Sequence, residues 1–131
     1  MNTNDFRQYL LGLQDRILHM LQNTDAQIIL DQRELEDDRS YAKPCILNNG
    51  SIIEKAACNF THSRGSQLPK AATDRRPEMA GKPFQAISLS WIIHPLNPYV
   101  PTTHGNLRFF IAGAEEESPI WWFGGGIDLT P

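Results

Sequence analysis

The sequence predicts an α+β fold, a mostly antiparallel β-sheet flanked by helices. Three observations support this class: an apolar period of three to four residues near the N-terminus, strict alternation in later segments, and loops rather than helices between those segments. A length of 131 residues suits one domain. We therefore treat residues 1–131 as a single domain, with a helix in 1–25 and the sheet-forming part in 40–131.

The helix is predicted over residues 5–22, followed by a possible exit at residues 23–25. Its apolar side chains share one helical face; they are Phe6, Leu10, Leu13, Ile17 and Leu21. The next stretch, 26–41, mixes acidic and basic residues and is interpreted as an exposed strand edge or a loop. His19 is predicted to be a surface residue.

Asn49 and Gly50 separate two short apolar runs and predict a β-hairpin with a type I′ turn, which requires positive φ at both positions. The glycine- and proline-punctuated stretch 61–83 is predicted to be a loop. Three strands are predicted over residues 84–94, 106–112 and 120–123. The run of three glycines at 124–126 is interpreted as a turn or bulge, or as a place where the backbone approaches a ligand.

Composition and charge exclude several classes of function. The net charge of −3 comes without a cluster of basic residues, which argues against nucleic-acid binding. No secretory signal and no apolar run of membrane-spanning length is visible. Two reduced thiols, Cys45 and Cys58, are favoured over a disulfide. A cytoplasmic location with no membrane span is the resulting expectation.

Residue parity predicts a polar surface on one face of the sheet. Ser90 and His94 are separated by an even number of positions in the strand predicted at 84–94, so their side chains lie on one face. The same holds for His104, Asn106 and Arg108 at the start of the next strand. A solvent-exposed face would give the same pattern without a binding site. Exposed strands are usually rich in Thr, Lys and Glu, however, and this face lacks Lys and Glu. Both interpretations, an exposed face and a functional pocket, therefore stay open.

The chemistry of these side chains leaves alternatives open. Arg108 can bind a carboxylate through two parallel hydrogen bonds, or it can form a structural ion pair. His104 suits a general acid or base because imidazole titrates near neutral pH. The ten-residue spacing of His94 and His104 is only a weak indication of a metal site. His62 is interpreted as a surface residue. Asp128 either contacts a ligand N–H or caps the next element.

Two long runs resemble the signature of the oxygen-dependent coproporphyrinogen III oxidase family. They are HPLNPYVPTTH at 94–104 continuing into NLRFF at 106–110, and WWFGGGIDLTP at 121–131. Weaker similarity reaches back through residues 49–77, so the resemblance covers nearly the whole chain. Ala57 and Cys58 depart from the Gly-Val pair that is usual before the asparagine at 59.

The resemblance implies an enzyme of haem biosynthesis. Members oxidatively decarboxylate two propionates of coproporphyrinogen III to vinyl groups, giving protoporphyrinogen IX, with dioxygen as oxidant and no organic cofactor. It implies that a deprotonated pyrrole meets dioxygen directly and that the resulting peroxide removes a propionate β-hydrogen. By the same resemblance, Asp128 contacts pyrrole N–H groups and His104 donates a proton.

The resemblance also assigns binding roles. Substrate contacts are expected from the following residues: Ser90, Asn106, Leu107 and Arg108. A divalent metal held by His94 and His104 is described for bacterial members, whereas other members work without metal. Full-length members are expected to be homodimers.

The second signature ends at Pro131, the last residue of the sequence, whereas family members continue further. We therefore expect this chain to be the N-terminal part of the enzyme, with an incomplete sheet, marginal stability and little or no activity of its own. The alternative is an inactive truncated remnant or a module that binds tetrapyrroles or other anions.

Overall fold

The computed structural model describes residues 2–66, 78, 81–114 and 118–131. It contains one helix followed by seven strands. Their bounds are α1 Thr3–Thr24, β1 Ile29–Gln32, β2 Leu35–Glu36, β3 Ser40–Asn48, β4 Ile53–Gly65, β5 Phe84–Pro95, β6 Thr102–Ala112 and β7 Ile120–Thr130. The predicted helix is confirmed and extends two residues further at each end than the periodicity indicated.

The strands form one open sheet in the order β1-β3-β4-β5-β6-β7, and β2 pairs beside β1 with β3. Every pairing is antiparallel. The α+β class is therefore confirmed, and the exposed segment 26–41 supplies the short strands β1 and β2 at one edge, as the charge pattern indicated. β7 forms the other edge. In the described part of the chain, no helix is long and apolar enough to cross a membrane.

One face of the sheet carries the apolar core, and α1 lies across it. Alternate residues of β3 to β6 form this face; the buried ones are Cys45, Leu47, Ala56, Cys58, Phe60, Ile87, Leu89, Phe109 and Ile111. Phe6 of the helix stacks on Phe109 with 4.4 Å between ring centroids. Gln14 is fully buried and donates to the backbone oxygens of Lys43 and Cys58, both at 2.9 Å. The helix thereby joins the sheet through polar as well as apolar contacts.

The helix does not cover the whole apolar face. Towards β7 the core-side residues remain exposed to solvent; they are Leu107, Trp121, Phe123, Ile127 and Leu129. Phe6 still contacts Phe123, with 4.6 Å between ring centroids. Cys45 and Cys58 face each other across β3 and β4 as buried free thiols, which confirms the prediction of reduced cysteines.

The connection between β3 and β4 corrects the predicted turn type. A hairpin is present, but its connection spans residues 49–52, and only Asn49 has a positive φ, at 64°. Gly50 is needed for a different reason, since a Cβ there would lie 2.1 Å from an oxygen of Asp25. The Asp25 carboxylate accepts backbone N–H groups of Ser51, Ile52 and Ile53 at 2.8–3.1 Å. A distant side chain, rather than the Asn-Gly pair, determines the turn.

The predicted loop at 61–83 is wrong at its first residues, because β4 continues to Gly65. His62 is correspondingly not a surface residue: it is 4% exposed and lies among core-side groups. Residues 67–77 and 79–80, which the same prediction covered, lie outside the described residues. Continuation of β4 is explained by its full pairing with the start of β5, in which Gly65 lies opposite Phe84.

The interpretation of the glycine run 124–126 as a turn or bulge is wrong, since β7 runs straight through it. None of the three glycines has a positive φ. A Cβ at Gly125 would lie 2.6 Å from the carbonyl oxygen of Asn106. Glycine therefore permits β7 to approach β6 closely at this position. A run of glycines in a sequence looks the same whether it serves close strand approach or a turn.

Candidate functional site

The face of the sheet opposite α1 carries the polar side chains that parity singled out. We call this surface the polar face; it comprises Ser90, His94, His104, Asn106, Arg108 and Asp128. Ser90 lies directly opposite Asn106, and His104 directly opposite Asp128. Antiparallel register thus brings residues from β5, β6 and β7 into neighbouring rows, where directly opposed Cβ atoms are about 5 Å apart.

An open cavity of about 600 Å³ occupies the middle of the polar face. Its polar lining consists of Asn59, Ser90, His104, Asn106 and Asp128. Gly126 contributes only backbone to the lining, which widens the cavity beside Asn106. The size is within the range of small-molecule sites in proteins.

His104 and Asp128 form an imidazole–carboxylate contact in this cavity. The Nδ1 atom of His104 lies 3.1 Å from an oxygen of Asp128, with side-chain exposures of 45% and 63%. Nδ1 is itself buried and lies off the line that a hydrogen bond requires. Because Nδ1 faces Asp128, the Nε2 atom of the ring is left for a ligand. The pair is suited to moving a proton.

Asp128 has weak contacts that hold its position. Its carboxylate accepts the hydroxyl of Thr130 at 3.4 Å, and its backbone oxygen accepts the hydroxyl of Thr103 at 3.3 Å. No described backbone N–H donates to the carboxylate, so its acceptor capacity remains available for a ligand. Asp128 lies within β7, which ends at Thr130, and the alternative role as a cap of a following element stays a prediction.

Asn106 has an amide oxygen that is buried without a hydrogen-bond partner in the described part of the chain. Such a group is costly unless a ligand completes it. The amide oxygen suits a ligand N–H, and rotation of the amide presents its nitrogen to a carboxylate instead. Either orientation makes Asn106 a contact for a polar ligand.

Arg108 follows Asn106 by two positions on β6 and therefore lies on the same face. It is exposed and lies opposite Gly124. Its guanidinium passes 3.9 Å from the place where a Cβ of Gly124 would stand. None of the described carboxylates lies within ion-pair distance of it. The described residues thus do not form the structural ion pair that the sequence left open, and both edges of the guanidinium fork remain available.

A family model described as coproporphyrinogen III oxidase matches residues 5–131. The chain belongs to the coproporphyrinogen III oxidase family. The resemblance seen in the two signature runs is thereby confirmed, and membership indicates an oxidoreductase that acts on coproporphyrinogen in haem biosynthesis. Both signature runs contribute to the polar face, since His94 to Arg108 come from the first and Asp128 from the second.

Leu107 is the one predicted substrate contact whose side chain the structure separates from the others. Its side chain lies on the helix side of the sheet, against the position of Gly125. On the polar face Leu107 can offer only backbone atoms. The two-residue alternation of a strand makes this unavoidable for the residue between Asn106 and Arg108.

Asn59 is a residue of the cavity that the parity argument does not find. It lies on β4 opposite Ser90, in the row that continues to Asn106. Its amide oxygen accepts the backbone N–H of Cys45 at 3.2 Å, which directs the amide nitrogen away from that bond. The sequence contains a signal, because Asn59, Thr61 and Ser63 alternate with core residues, but the prediction of a loop from residue 61 hides it.

The metal expected from His94 and His104 has an incomplete ligand set among the described residues. The described residues contain no group of three or more His, Cys, Asp or Glu side chains placed to hold one ion. His94 lies at the end of the face, with Nδ1 3.4 Å from the hydroxyl of Thr102. Two imidazoles satisfy only part of a coordination shell. The metal stays a prediction, and no chemical step is assigned to it.

Proposed function

We propose that the polar face is part of the active site of an oxygen-dependent coproporphyrinogen III oxidase, which converts two propionates to vinyl groups and gives protoporphyrinogen IX. One observation carries the proposal. Three strands bring a carboxylate–imidazole pair and an incompletely bonded amide into the lining of a cavity of about 600 Å³, and they place on the same face a guanidinium that no described carboxylate pairs. Each group matches a part of a substrate that has both carboxylates and pyrrole N–H donors.

Substrate binding is assigned to the residues beside the cavity. Arg108 receives a propionate through its fork of N–H donors, and the amide of Asn106 completes the contact. The hydroxyl of Ser90, directly opposite Asn106, donates to the same ligand. The substrate bears four carboxylates, whereas this row supplies one guanidinium. We therefore expect the 131-residue chain by itself to show little or no turnover.

Proton transfer is assigned to the His104–Asp128 pair. Asp128 accepts a pyrrole N–H, which raises the electron density of the ring that reacts with dioxygen. Each vinyl group forms when carbon dioxide leaves the propionate and its β-carbon loses a hydrogen with two electrons to dioxygen, which is reduced to the level of hydrogen peroxide. His104 acts as the general acid and donates a proton to that peroxide. Dioxygen is the co-substrate in this proposal, and no organic cofactor is needed. The proposed enzyme is cytoplasmic and homodimeric.

The test compares Asp128→Asn with Asp31→Asn in an enzyme preparation that has measurable turnover. Asp31 is an exposed residue of β1 outside the cavity lining, so it controls for the loss of one charge. We expect Asp128→Asn to lower vinyl formation at least about 100-fold, with substrate affinity changed by less than about threefold. Product is measured with and without dioxygen.

Turnover that persists without dioxygen, or that survives in Asp128→Asn, contradicts the proposal. The alternative, a remnant or module that binds tetrapyrroles or other anions, predicts substrate binding in which no substitution alters turnover. Substitution of Asp128 then changes affinity alone.

A further inference from the structure

A second cavity, of about 550 Å³, lies between the first turn of α1 and the ends of β4 and β5. We call it the basic pocket; its lining is Asn2, Thr3, Asn4, Arg7, His62, Arg64 and Gln85. Among the residues that the structure describes, this lining contains two guanidinium groups and an imidazole but no carboxylate. The pocket shares no residue with the cavity of the polar face, and His62 faces the helix side of the sheet.

Arg7 is held rigidly in this pocket. Its guanidinium lies over the ring of Tyr41 at 4.7 Å and that of Phe60 at 5.4 Å from the centroids. Its Nη1 donates to Nδ1 of His62 at 2.7 Å, and Nε2 of His62 in turn bonds to the side-chain oxygen of Gln85 at 2.8 Å. This series of hydrogen bonds requires a neutral imidazole at His62, because Nδ1 must accept the bond from Arg7. Burial lowers the pKa of His62, and the charges of Arg64 and Arg7 lower it further.

The half-buried charge of Arg7 has no counter-ion among the described residues. Asp5 is only two positions away in the helix, and residues at that spacing do not face each other. Glu34 interacts with the hydroxyl of Tyr41 and does not reach ion-pair distance of Arg7. Charges withdrawn from water are normally paired, and the bond to a neutral imidazole leaves this one uncompensated.

The surroundings add positive potential to Arg7. Arg64 lies on the exposed rim of the same pocket, and it too has no described carboxylate within ion-pair distance. The first turn of the 22-residue helix α1 also faces the pocket through residues 2–4, so the positive end of its dipole adds to both guanidinium charges. Two cations and a helix terminus favour a doubly charged anion over a singly charged one.

We propose that the basic pocket binds a small oxyanion of the phosphate class, held by Arg7 and Arg64. The guanidinium of Arg7 is preorganised by its aromatic neighbours and by His62, so little side-chain entropy is lost on binding. Arg64 adds charge from the rim. This site lies apart from the polar face and does not depend on the function proposed for it.

The test titrates inorganic phosphate into the 131-residue protein at constant ionic strength and follows backbone amide NMR signals. Acetate serves as the singly charged comparator. We expect saturable shifts at residues 2–7, 62–64 and 85, with phosphate binding more tightly than acetate. Arg64→Gln should weaken phosphate binding about fivefold, since its contact is exposed. Arg33→Gln, which removes an exposed arginine outside the pocket, should change it by less than about twofold.

Arg7→Gln provides a second variant with a larger expected loss of binding; its folding is checked by the dispersion of the same spectra. The proposal is overturned if phosphate produces no saturable shifts in the millimolar range, or if the shifts map to the polar face instead. Equal weakening in Arg64→Gln and Arg33→Gln also overturns it, because diffuse charge attraction would then explain the binding.

Discussion

Asp25 and Asp128 place the same side chain in opposite settings. Asp25 is 1% exposed and accepts several backbone N–H groups that hold the start of β4. Asp128 is 63% exposed at the side chain and has one imidazole and one hydroxyl beside it. A carboxylate whose acceptor capacity is filled by the backbone stabilises the fold. One whose capacity is largely free is available to a substrate.

The largest effect is expected from Asp25→Asn, which tests whether Asp25 stabilises the fold and Asp128 does not. The amide keeps the volume but places N–H donors against backbone N–H groups of Ile52 and Ile53, which then lose their acceptor. We expect a fall of about 10 °C in the midpoint of thermal unfolding. Asp128→Asn is the matched control, with a change below about 2 °C. Similar midpoints in circular dichroism for both variants would refute the distinction.

Acid unfolding gives a second and more gradual test. Backbone N–H bonds from Ile53 and Ile52 lower the pKa of Asp25 from 3.8 to about 2. A lowered folded-state pKa contributes stability that is complete above the unfolded value, and it is lost as pH falls from about 3.8 towards 2.

Urea unfolding measured between about pH 5 and pH 2 should show this loss. The slope should be shallower in Asp25→Asn, though not absent, because backbone bonds from Arg39 and Ser40 also lower the pKa of Asp37. An identical slope in the unsubstituted protein and Asp25→Asn would show that the carboxylate does not contribute.

The smallest effect concerns Asn59, which combines both roles. Its oxygen bonds to the backbone of Cys45, while its amide nitrogen is available to the cavity. In an active enzyme preparation, we expect Asn59→Ala to raise KM about fivefold with kcat nearly unchanged. Ser63→Ala, on the same side of the same strand but outside the cavity lining, is the control. An unchanged KM would leave Asn59 with its structural role alone.

Local sequence patterns by themselves determined much of this architecture. The period of α1 and the alternation of β5 and β6 each reflect burial of one side of an element, which a sequence displays directly. The same alternation predicted that Ser90, His94, His104, Asn106 and Arg108 would share a face. The signature runs predicted the family, which the match over residues 5–131 confirmed.

Contacts between distant segments decided the rest. Asp25 fixes a turn at Gly50, and the Asn106 backbone requires glycine at position 125, so neither glycine has its reason within its own segment. His62 is buried because Arg7 of the helix covers it, more than fifty positions away. The opposition of His104 and Asp128 depends on strand register. Sequence patterns report which side of an element is buried, whereas only the tertiary structure determines which residues meet there.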